Sequence, residues 1–350
     1  MKIPGTGRLR PMIRRAKKQL ASSKGLILMY HRVADVDVDP WALSVSPQHF
    51  DEQLEVLKSH YHPLSLQQLV QAHKQHNIPK RAVAITFDDG YADNLLQAKP
   101  ILERHNIPAT VFVITGTLGN SDEFWWDALE RLLLQPGRLP QQLTLTIDNE
   151  THHWDLGQAA YYSEADYQHD RTTQADAAPP GSRMFFYYSL WQTLLPLPEA
   201  KRRPIFTEIV RWAGETDSSQ PKSKPNHRRT LHPQEVALLN QGDLIEIGAH
   251  TITHPFLSAQ PLAAQQSEIE RSKATLEALI NQPVTSFSYP FGDRSADTVS
   301  LTQAAGFNCA CTTAEDIVWR KSNGFELPRV TVQNWNKEDF SRKLEEWFHG

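Results

Sequence analysis

Apolar runs and helix-like segments alternate along two parts of the chain, 25–118 and 231–332. Short continuous apolar runs are typical of buried strands, and apolar residues three and four positions apart are typical of amphipathic helices. Alternation of the two predicts parallel strands with helices packed outside them. The predicted strands are 25–30, 82–87, 109–113, 244–248, 284–289, 308–312 and 327–332. The predicted helices are 47–60, 65–76, one ending near 105, 233–241 and 261–281.

This alternation stops between about 119 and 230, where Pro, Gln, His and Trp are frequent and periodicity is weak. The pattern at 143–154 predicts a hairpin turning at Asp148-Asn149, and 199–213 predicts one helix. The polar stretch 217–230 is typical of a surface loop. We interpret 119–230 as a large insertion into one catalytic domain of residues 25–350, not as a second independent domain.

Charge is distributed unevenly over the 350 residues, whose formal net charge is −4. Residues 1–24 hold eight basic and no acidic residues, which leaves a net −12 on the rest. An acidic body argues against a nucleic-acid partner, because binding to phosphates requires a basic face. Within 1–24, apolar residues recur near helical spacing between the cations, which predicts a basic amphipathic tail able to contact an anionic membrane surface. A solvated tail or a helix packed on its own domain remains the alternative.

Localisation follows from what the sequence lacks. No stretch approaches the roughly 20 apolar residues that span a bilayer, and the start of the chain has no apolar run typical of a secretory signal. We therefore expect a cytoplasmic protein, with residues 1–24 as a candidate peripheral contact with the inner membrane. Cys309 and Cys311 are badly spaced for an unstrained disulfide and too few for a structural zinc site, so we expect buried, inert thiols.

Polar residues follow three of the predicted strands. His31 comes after the first, Asp88-Asp89 after the second, and His250 after a later one. In α/β barrels the carboxyl ends of the strands are where active sites gather. We therefore expect these side chains to lie together.

His250 and His254 are four residues apart, so on one helical turn both imidazoles could face a common point. A pair at this spacing is expected by chance in a chain with 15 histidines, and two surface histidines are the alternative. Asp88-Asp89 strengthens the case, because adjacent carboxylates are costly to bury without positive charge. One Asp and two His would form an open, catalytic type of zinc site. A turn capping the next helix is the alternative for Asp88-Asp89.

Two segments, Thr86-Phe87-Asp88-Asp89-Gly90 and His250-Thr251-Ile252-Thr253-His254, resemble the first two motifs of the NodB-like polysaccharide deacetylases, the fourth carbohydrate esterase family. Residues 109–113 resemble the strand that follows the first motif, and Ser288-Tyr289-Pro290-Phe291-Gly292 resembles the third motif. The resemblance implies a distorted (β/α)7 barrel of the NodB type, interrupted here by the insertion. It also implies a Zn²⁺ ion or a similar metal such as Co²⁺ or Ni²⁺.

The same resemblance implies roles for individual residues. Asp88 is expected to be the general base, and the backbone N–H of Phe291 to help hold the oxyanion. The expected metal ligands are Asp89, His250 and His254. The expected substrate-binding residues are Tyr91, Tyr289 and Pro290.

Two positions depart from the family pattern. Ser288 stands where typical members have an Arg that tethers the base, and the C-terminal region 326–329 lacks the usual acid histidine. A subgroup that resembles the exopolysaccharide poly-N-acetylglucosamine deacetylases has its acid histidine on the first strand. By that resemblance His31 is the expected general acid and Arg329 the candidate tether of Asp88. The alternatives are a hydrogen-bonded core histidine and a surface ion pair.

Together these features predict a metal-dependent hydrolase that removes N-acetyl groups from the amino sugars of a glycan. One alternative is a deformylase or O-acetyl esterase of a lipid-linked sugar, and another is a non-catalytic glycan-binding module. Trp125, Trp126 and Trp154 in the insertion could stack on sugar rings, although core or interface packing is the commoner use of such residues.

Overall fold

The computed structural model describes residues 24–119, 123–214 and 228–349. The predicted tail lies outside these ranges except for Lys24, as does most of the loop predicted at 217–230. The strands in chain order are β1 Lys24–Tyr30, β2 Arg32–Val33, β3 Ser44–Val45, β4 His62–Leu64, β5 Ala82–Phe87, β6 Ala109–Val113, β7 Gly137–Arg138, β8 Gln142–Ile147, β9 Glu150–Asp155, β10 Tyr161–Tyr162, β11 Ile245–Ala249, β12 Ser286–Ser288, β13 Cys309–Cys311, β14 Val318–Trp319 and β15 Val330–Thr331.

A curled sheet of parallel strands forms the centre of the fold, in the order β13-β12-β11-β6-β5-β1. Its two edges are joined through the last predicted strand. Leu327 forms a parallel bridge with Cys311 of β13, and β15 pairs in parallel with β1. Seven parallel strands therefore surround one interior, and the short, irregular closure at β15 accounts for the distortion. The prediction of a distorted (β/α)7 barrel is confirmed.

Helices cover the outside of this barrel, and further helices lie in the insertion. The helices in chain order are α1 Pro47–His60, α2 Leu66–Lys74, α3 Lys99–His105, α4 Trp125–Leu133, α5 Glu164–Asp170, α6 Arg183–Leu194, α7 Glu199–Trp212, α8 Pro233–Leu239, α9 Leu262–Ile280, α10 Ala296–Ala304 and α11 Lys337–His349. All six predicted helices are among them. A π-helical turn, Asn94–Ala98, leads into α3. Among the described residues, no helix has both the length and the apolar character needed to cross a bilayer.

Local sequence explains where the first two helices begin. The Ser46 side chain accepts a hydrogen bond from the His49 N–H, and Pro47 occupies the first helical position. Ser65 and Gln68 form a reciprocal capping box at the start of α2. Each cap satisfies N–H groups that have no partner within the helix.

The strands are buried on both faces, which explains why they read as continuous apolar runs instead of alternating ones. Every residue of β5 is buried, and so are six of the seven residues of β1. Cys309 and Cys311 are fully buried free thiols, as the sequence predicted.

The insertion has a hydrophobic core of its own, built from α4, α6, α7 and the β8–β9 hairpin. The hairpin turns at Asp148 and Asn149, both with positive φ, and α7 coincides with the predicted helix. Sequence periodicity did not reveal α4, α5 or α6. Val38 and Trp41, from the loop between β2 and β3, also pack into this core, which attaches it to the barrel.

Candidate active site

The polar residues predicted to lie together are at the carboxyl ends of neighbouring strands. His31 follows β1, Asp88 and Asp89 follow β5, His250 follows β11, and Ser288 ends β12. The five residues are brought together because β1, β5, β6, β11 and β12 are parallel and in register.

Asp89, His250 and His254 form a buried triangle of donor atoms. The Asp89 Oδ1 atom is 3.5 Å from His250 Nε2 and 3.6 Å from His254 Nε2. The two Nε2 atoms are 3.2 Å apart.

The residues between the two histidines form a loop, so the predicted helical turn at 250–254 is wrong. Thr251 and His254 both have positive φ values, 65° and 54°. The Glu268 carboxylate of α9 accepts hydrogen bonds from the N–H groups of Ile252 and Thr253 at 2.7 and 2.9 Å. The loop is stable because this carboxylate and the Thr251 hydroxyl, which accepts from His254 N–H at 3.0 Å, replace the missing helical hydrogen bonds.

The donor triangle fits a zinc ion. Ligand atoms about 2.0–2.1 Å from zinc at tetrahedral angles lie about 3.4 Å from one another, close to the separations found here. His250 Nδ1 lies 2.7 Å from the Ser288 carbonyl oxygen. An N–H at that atom leaves Nε2 with its lone pair toward the triangle.

The charge states of Asp89 and His254 also suit a cation. Burial, together with the neighbouring His250, lowers the pKa of His254 to about 3, so its imidazole is neutral. Burial would raise the pKa of Asp89, but the hydrogen bond from His250 holds it below its usual value. A carboxylate and a neutral imidazole are the ligating forms. The pKa of His250 is raised instead, because the two carboxylates outweigh the effect of burial.

Asp88 is held in a two-point ion pair with Arg329. The guanidinium nitrogens Nη1 and Nη2 donate to Oδ1 and Oδ2 of Asp88 at 2.7 and 2.6 Å. Burial would raise the pKa of Asp88, but the charge of Arg329 and then that of His250 hold it well below its usual range. Asp88 is therefore a carboxylate at neutral pH.

Arg329 is fully buried, and its remaining donors have partners. Its Nε donates to the Thr312 carbonyl at 2.9 Å, Nη2 to Ser288 Oγ at 2.8 Å and Nη1 to Thr86 Oγ1 at 3.2 Å. The Ser288 hydroxyl also donates to Asp88 Oδ2 at 3.2 Å. Because Ser288 is small, it leaves room for the guanidinium of Arg329, the residue just before β15. The surface ion pair considered from the sequence does not describe Arg329.

His31 lies at the same end of the barrel, partly exposed. Its backbone carbonyl accepts from Asn94 Nδ2 at 3.0 Å, and within the described residues its buried Nδ1 atom has no hydrogen-bond partner. Burial raises the pKa of Asp88 and of Asp89, whereas hydrogen bonds and nearby charges lower it. His31 is one of the smaller of these lowering contributions.

Phe291 forms part of the turn Pro290–Gly292, with a positive φ of 56°. Its ring lies 4.4 Å from that of His254, between centroids. Glycine is required at the next position, where φ is 70° and a Cβ atom would be 2.3 Å from Thr313 Oγ1. The turn that carries Phe291 is therefore fixed beside the donor triangle.

Two of the side chains expected to bind substrate are internal. Tyr289 is fully buried, and its hydroxyl donates to the Phe325 carbonyl at 3.1 Å. Tyr91 is also buried, and its hydroxyl donates to Asp127 Oδ2 at 2.9 Å. Both hydroxyls are therefore engaged within the protein, and the substrate-binding roles of Tyr91 and Tyr289 stay predictions. Pro290 is buried at the start of the Phe291 turn.

The three tryptophans of the insertion have different surroundings. Trp126 lies 5.1 Å from the His254 ring, whereas Trp154 donates to Ser189 within the insertion. Trp125 packs over the guanidinium of Arg202. Sequence analysis missed Trp191, whose ring is 6.3 Å from that of Phe291, because its helix α6 was not predicted.

A sequence model of the family described as polysaccharide deacetylase matches residues 75–175 and 209–310, which together make up more than half of the chain. The chain belongs to the polysaccharide deacetylase family. This agrees with the resemblance inferred from the motifs. Asp88, Asp89, His250 and His254 lie within the matched residues, whereas His31 and Arg329 lie outside them.

Similar curated sequences carry the name poly-beta-1,6-N-acetyl-D-glucosamine N-deacetylase. That of Staphylococcus aureus strain MSSA476 is 41% identical over 114 residues, which are 32% of this chain and 38% of the relative. That of Staphylococcus epidermidis is 33% identical over 119 residues, 30% of this chain and 41% of the relative. The chain therefore spans about two fifths of the length of the curated relatives it matches.

Solved structures share the fold over most of the chain. The deacetylase PplD of Streptococcus pyogenes, in complex with acetate, has a TM-score of 0.56 at 20% identity and covers 92% of this chain and 98% of its own. IcaB of Ammonifex degensii has a TM-score of 0.55 at 15% identity and covers 94% and 98%. At these identities the likeness concerns the fold, which is the NodB-type barrel.

We predict that the protein binds zinc and that Asp89→Ala, His250→Ala and His254→Ala each lose most of it, because each removes one of the three donor side chains that would hold the ion. Elemental analysis of the purified proteins measures the metal content. Asp170→Ala, which removes a buried carboxylate of the insertion bound to the Tyr162 hydroxyl, should keep it. Full zinc content in any of the three variants would remove that residue from the site.

We also predict that Arg329→Met lowers the free energy of unfolding by about 3–5 kcal/mol, because it leaves the Asp88 carboxylate buried without its counter-charge. Urea denaturation of the metal-free protein measures this. The double variant Asp88→Asn/Arg329→Met should recover part of the loss, since it removes the unpaired charge as well. A single variant as stable as the unsubstituted protein would show that the buried pair contributes little.

Proposed function

We propose that this protein is a metal-dependent N-deacetylase of a glycan rich in N-acetylated amino sugars. The observation that carries the proposal is the arrangement of the two adjacent aspartates. Asp89 belongs to a donor triangle of zinc dimensions, while Asp88 is held ionised beside it by Arg329. The family membership and the names of the staphylococcal relatives support hydrolysis of an N-acetyl group on poly-N-acetylglucosamine.

Asp89, His250 and His254 would hold the ion, which when bound polarises a carbonyl oxygen and lowers the pKa of water. Asp88 accepts the proton that the attacking water gives up. Its carboxylate is suited to this because Arg329 and Ser288 fix its orientation.

His31 is the proposed proton donor to the amine. Amine anions are poor leaving groups, so cleavage of the C–N bond requires protonation of nitrogen. The backbone N–H of Phe291 is the proposed donor to the oxyanion. One water and one amide are consumed, and the products are acetate and a free amino sugar.

Incubation of the purified protein with oligomers of β-1,6-linked N-acetylglucosamine tests the proposal directly. Acetate release, together with a loss of 42 mass units per acetyl group by the arithmetic of acetyl replaced by hydrogen, is the expected result. Formate release from formamido sugars without acetate release would favour the deformylase alternative. Absence of both, in a protein that retains zinc, would contradict hydrolysis of these substrates.

Asp88→Asn should lower kcat by about 10²-fold or more, because the amide cannot accept a proton from water. Zinc should remain bound, since Asp89, His250 and His254 are unchanged. Steady-state rates and metal content are measured together, with Asp170→Asn as the matched substitution of a buried carboxylate in the insertion. Loss of zinc from Asp88→Asn would show that the roles of Asp88 and Asp89 are reversed.

His31→Ala should lower kcat on the N-acetyl substrate by about 10²- to 10⁴-fold with zinc content unchanged. On p-nitrophenyl acetate the loss should be much smaller, because that leaving group needs little protonation. His73→Ala is the control, since His73 is a buried histidine that lies within hydrogen-bond distance of the Trp319 carbonyl, 3.0 Å from its Nε2. Equal losses on both substrates would make His31 a structural residue.

A further inference from the structure

The two histidines of the donor triangle are oriented differently. His250 has an acceptor for its Nδ1 atom, the Ser288 carbonyl at 2.7 Å. The Nδ1 atom of His254 is buried, and no hydrogen-bond partner for it lies within the described residues. Metal-binding histidines are usually oriented by such an acceptor. Among these residues, contacts other than a hydrogen bond at Nδ1 therefore orient the His254 ring.

Two aromatic rings pack against the His254 imidazole. The centroid of the Trp126 ring is 5.1 Å from that of His254, and the Phe291 ring is 4.4 Å away. The two rings come from different parts of the chain, Trp126 from α4 of the insertion and Phe291 from the turn after β12. They restrict rotation of the imidazole because a buried ring cannot turn without displacing its neighbours.

Trp126 is itself held in place. Its Nε1 donates to the Tyr91 hydroxyl at 2.9 Å, and that hydroxyl donates to Asp127 Oδ2 at 2.9 Å. Phe124 stacks on the Trp126 ring, with centroids 4.4 Å apart and planes 15° from parallel. The position of the indole is thus set by hydrogen bonds and by stacking.

Tyr91 connects this arrangement to the barrel. It is two residues beyond Asp89, and the buried Arg32 guanidinium lies over its ring at 4.6 Å. Arg32 in turn pairs with the buried Asp93 at 3.1 Å. The contact between α4 and the barrel is therefore a buried polar network as well as an apolar one.

We infer that Trp126 is a positioning residue for the metal ligand His254, with Tyr91 and Asp127 fixing its indole. The insertion is then a structural part of the metal centre. Its role is to orient the His254 ring, whose Nδ1 atom has no hydrogen-bond partner in the part of the chain that the structure describes. The inference rests on the proposed function, because it requires that the donor triangle binds metal.

Zinc affinity of the full chain tests the inference without using activity. Competition with a chromophoric chelator gives the dissociation constant. Trp126→Leu should raise it about 10-fold or more, the range found when groups that orient metal ligands are removed. Trp126→Phe keeps a ring against His254 and should restore most of the affinity.

The matched control is Trp212→Leu, which removes a half-buried tryptophan of the insertion that donates to the Gln142 carbonyl. It should leave zinc affinity unchanged. Tyr91→Phe provides a second route, since it releases Trp126 by deleting one hydroxyl, and it should weaken zinc binding by a smaller factor. This variant decides the matter if Trp126→Leu does not fold.

The possible results separate this inference from the proposed function. Unchanged affinity in both Trp126→Leu and Tyr91→Phe would overturn the inference and leave the metal site standing. Equal weakening by Trp126→Leu and Trp212→Leu would also overturn it, because the effect would then be general destabilisation. An unsubstituted protein that takes up no zinc would overturn the proposed function and this inference with it.

Discussion

The active end of this barrel depends on how two adjacent carboxylates are kept buried. Asp88 and Asp89 are nearly inaccessible to water, and burying two like charges together is costly without compensation. Asp88 is compensated within the protein, by the guanidinium of Arg329. Asp89 instead faces two imidazole nitrogens, where a divalent cation would complete the compensation. The different partners of the two residues are the basis for assigning them different chemical roles.

Arg329 also explains why the barrel closes as it does. It precedes β15, the strand that pairs with β1, and Leu327 just before it bridges to β13. The closing segment therefore brings the counter-charge of Asp88 into the barrel interior. Because Ser288 on β12 is small and carries a hydroxyl, it both admits the guanidinium and binds it. Closure of the fold and organisation of the base are parts of the same structure.

The insertion has its own hydrophobic core, yet it reaches the site through Trp126 and through the ring of Trp191 near Phe291. The rings of Trp126, Trp191 and Phe291 are all half-buried. The buried contacts of Tyr91 and Arg32 attach the insertion to the same end of the barrel that carries Asp89. The insertion therefore contacts the residues of the donor triangle as well as the barrel.

The sequence by itself determined parallel strands with helices outside them, because apolar runs alternate with amphipathic segments. Its resemblance to the deacetylase family implied that these strands close into a barrel. The sequence also determined the set formed by Asp88, Asp89, His250 and His254, since polar residues at parallel strand ends must converge. The tertiary structure decided what depends on contacts between distant segments. It made the loop at 250–254 non-helical through Glu268, buried Tyr91 and Tyr289, and placed Trp126 against His254. Local periodicity carries no information on such contacts, since they arise between residues far apart in the chain.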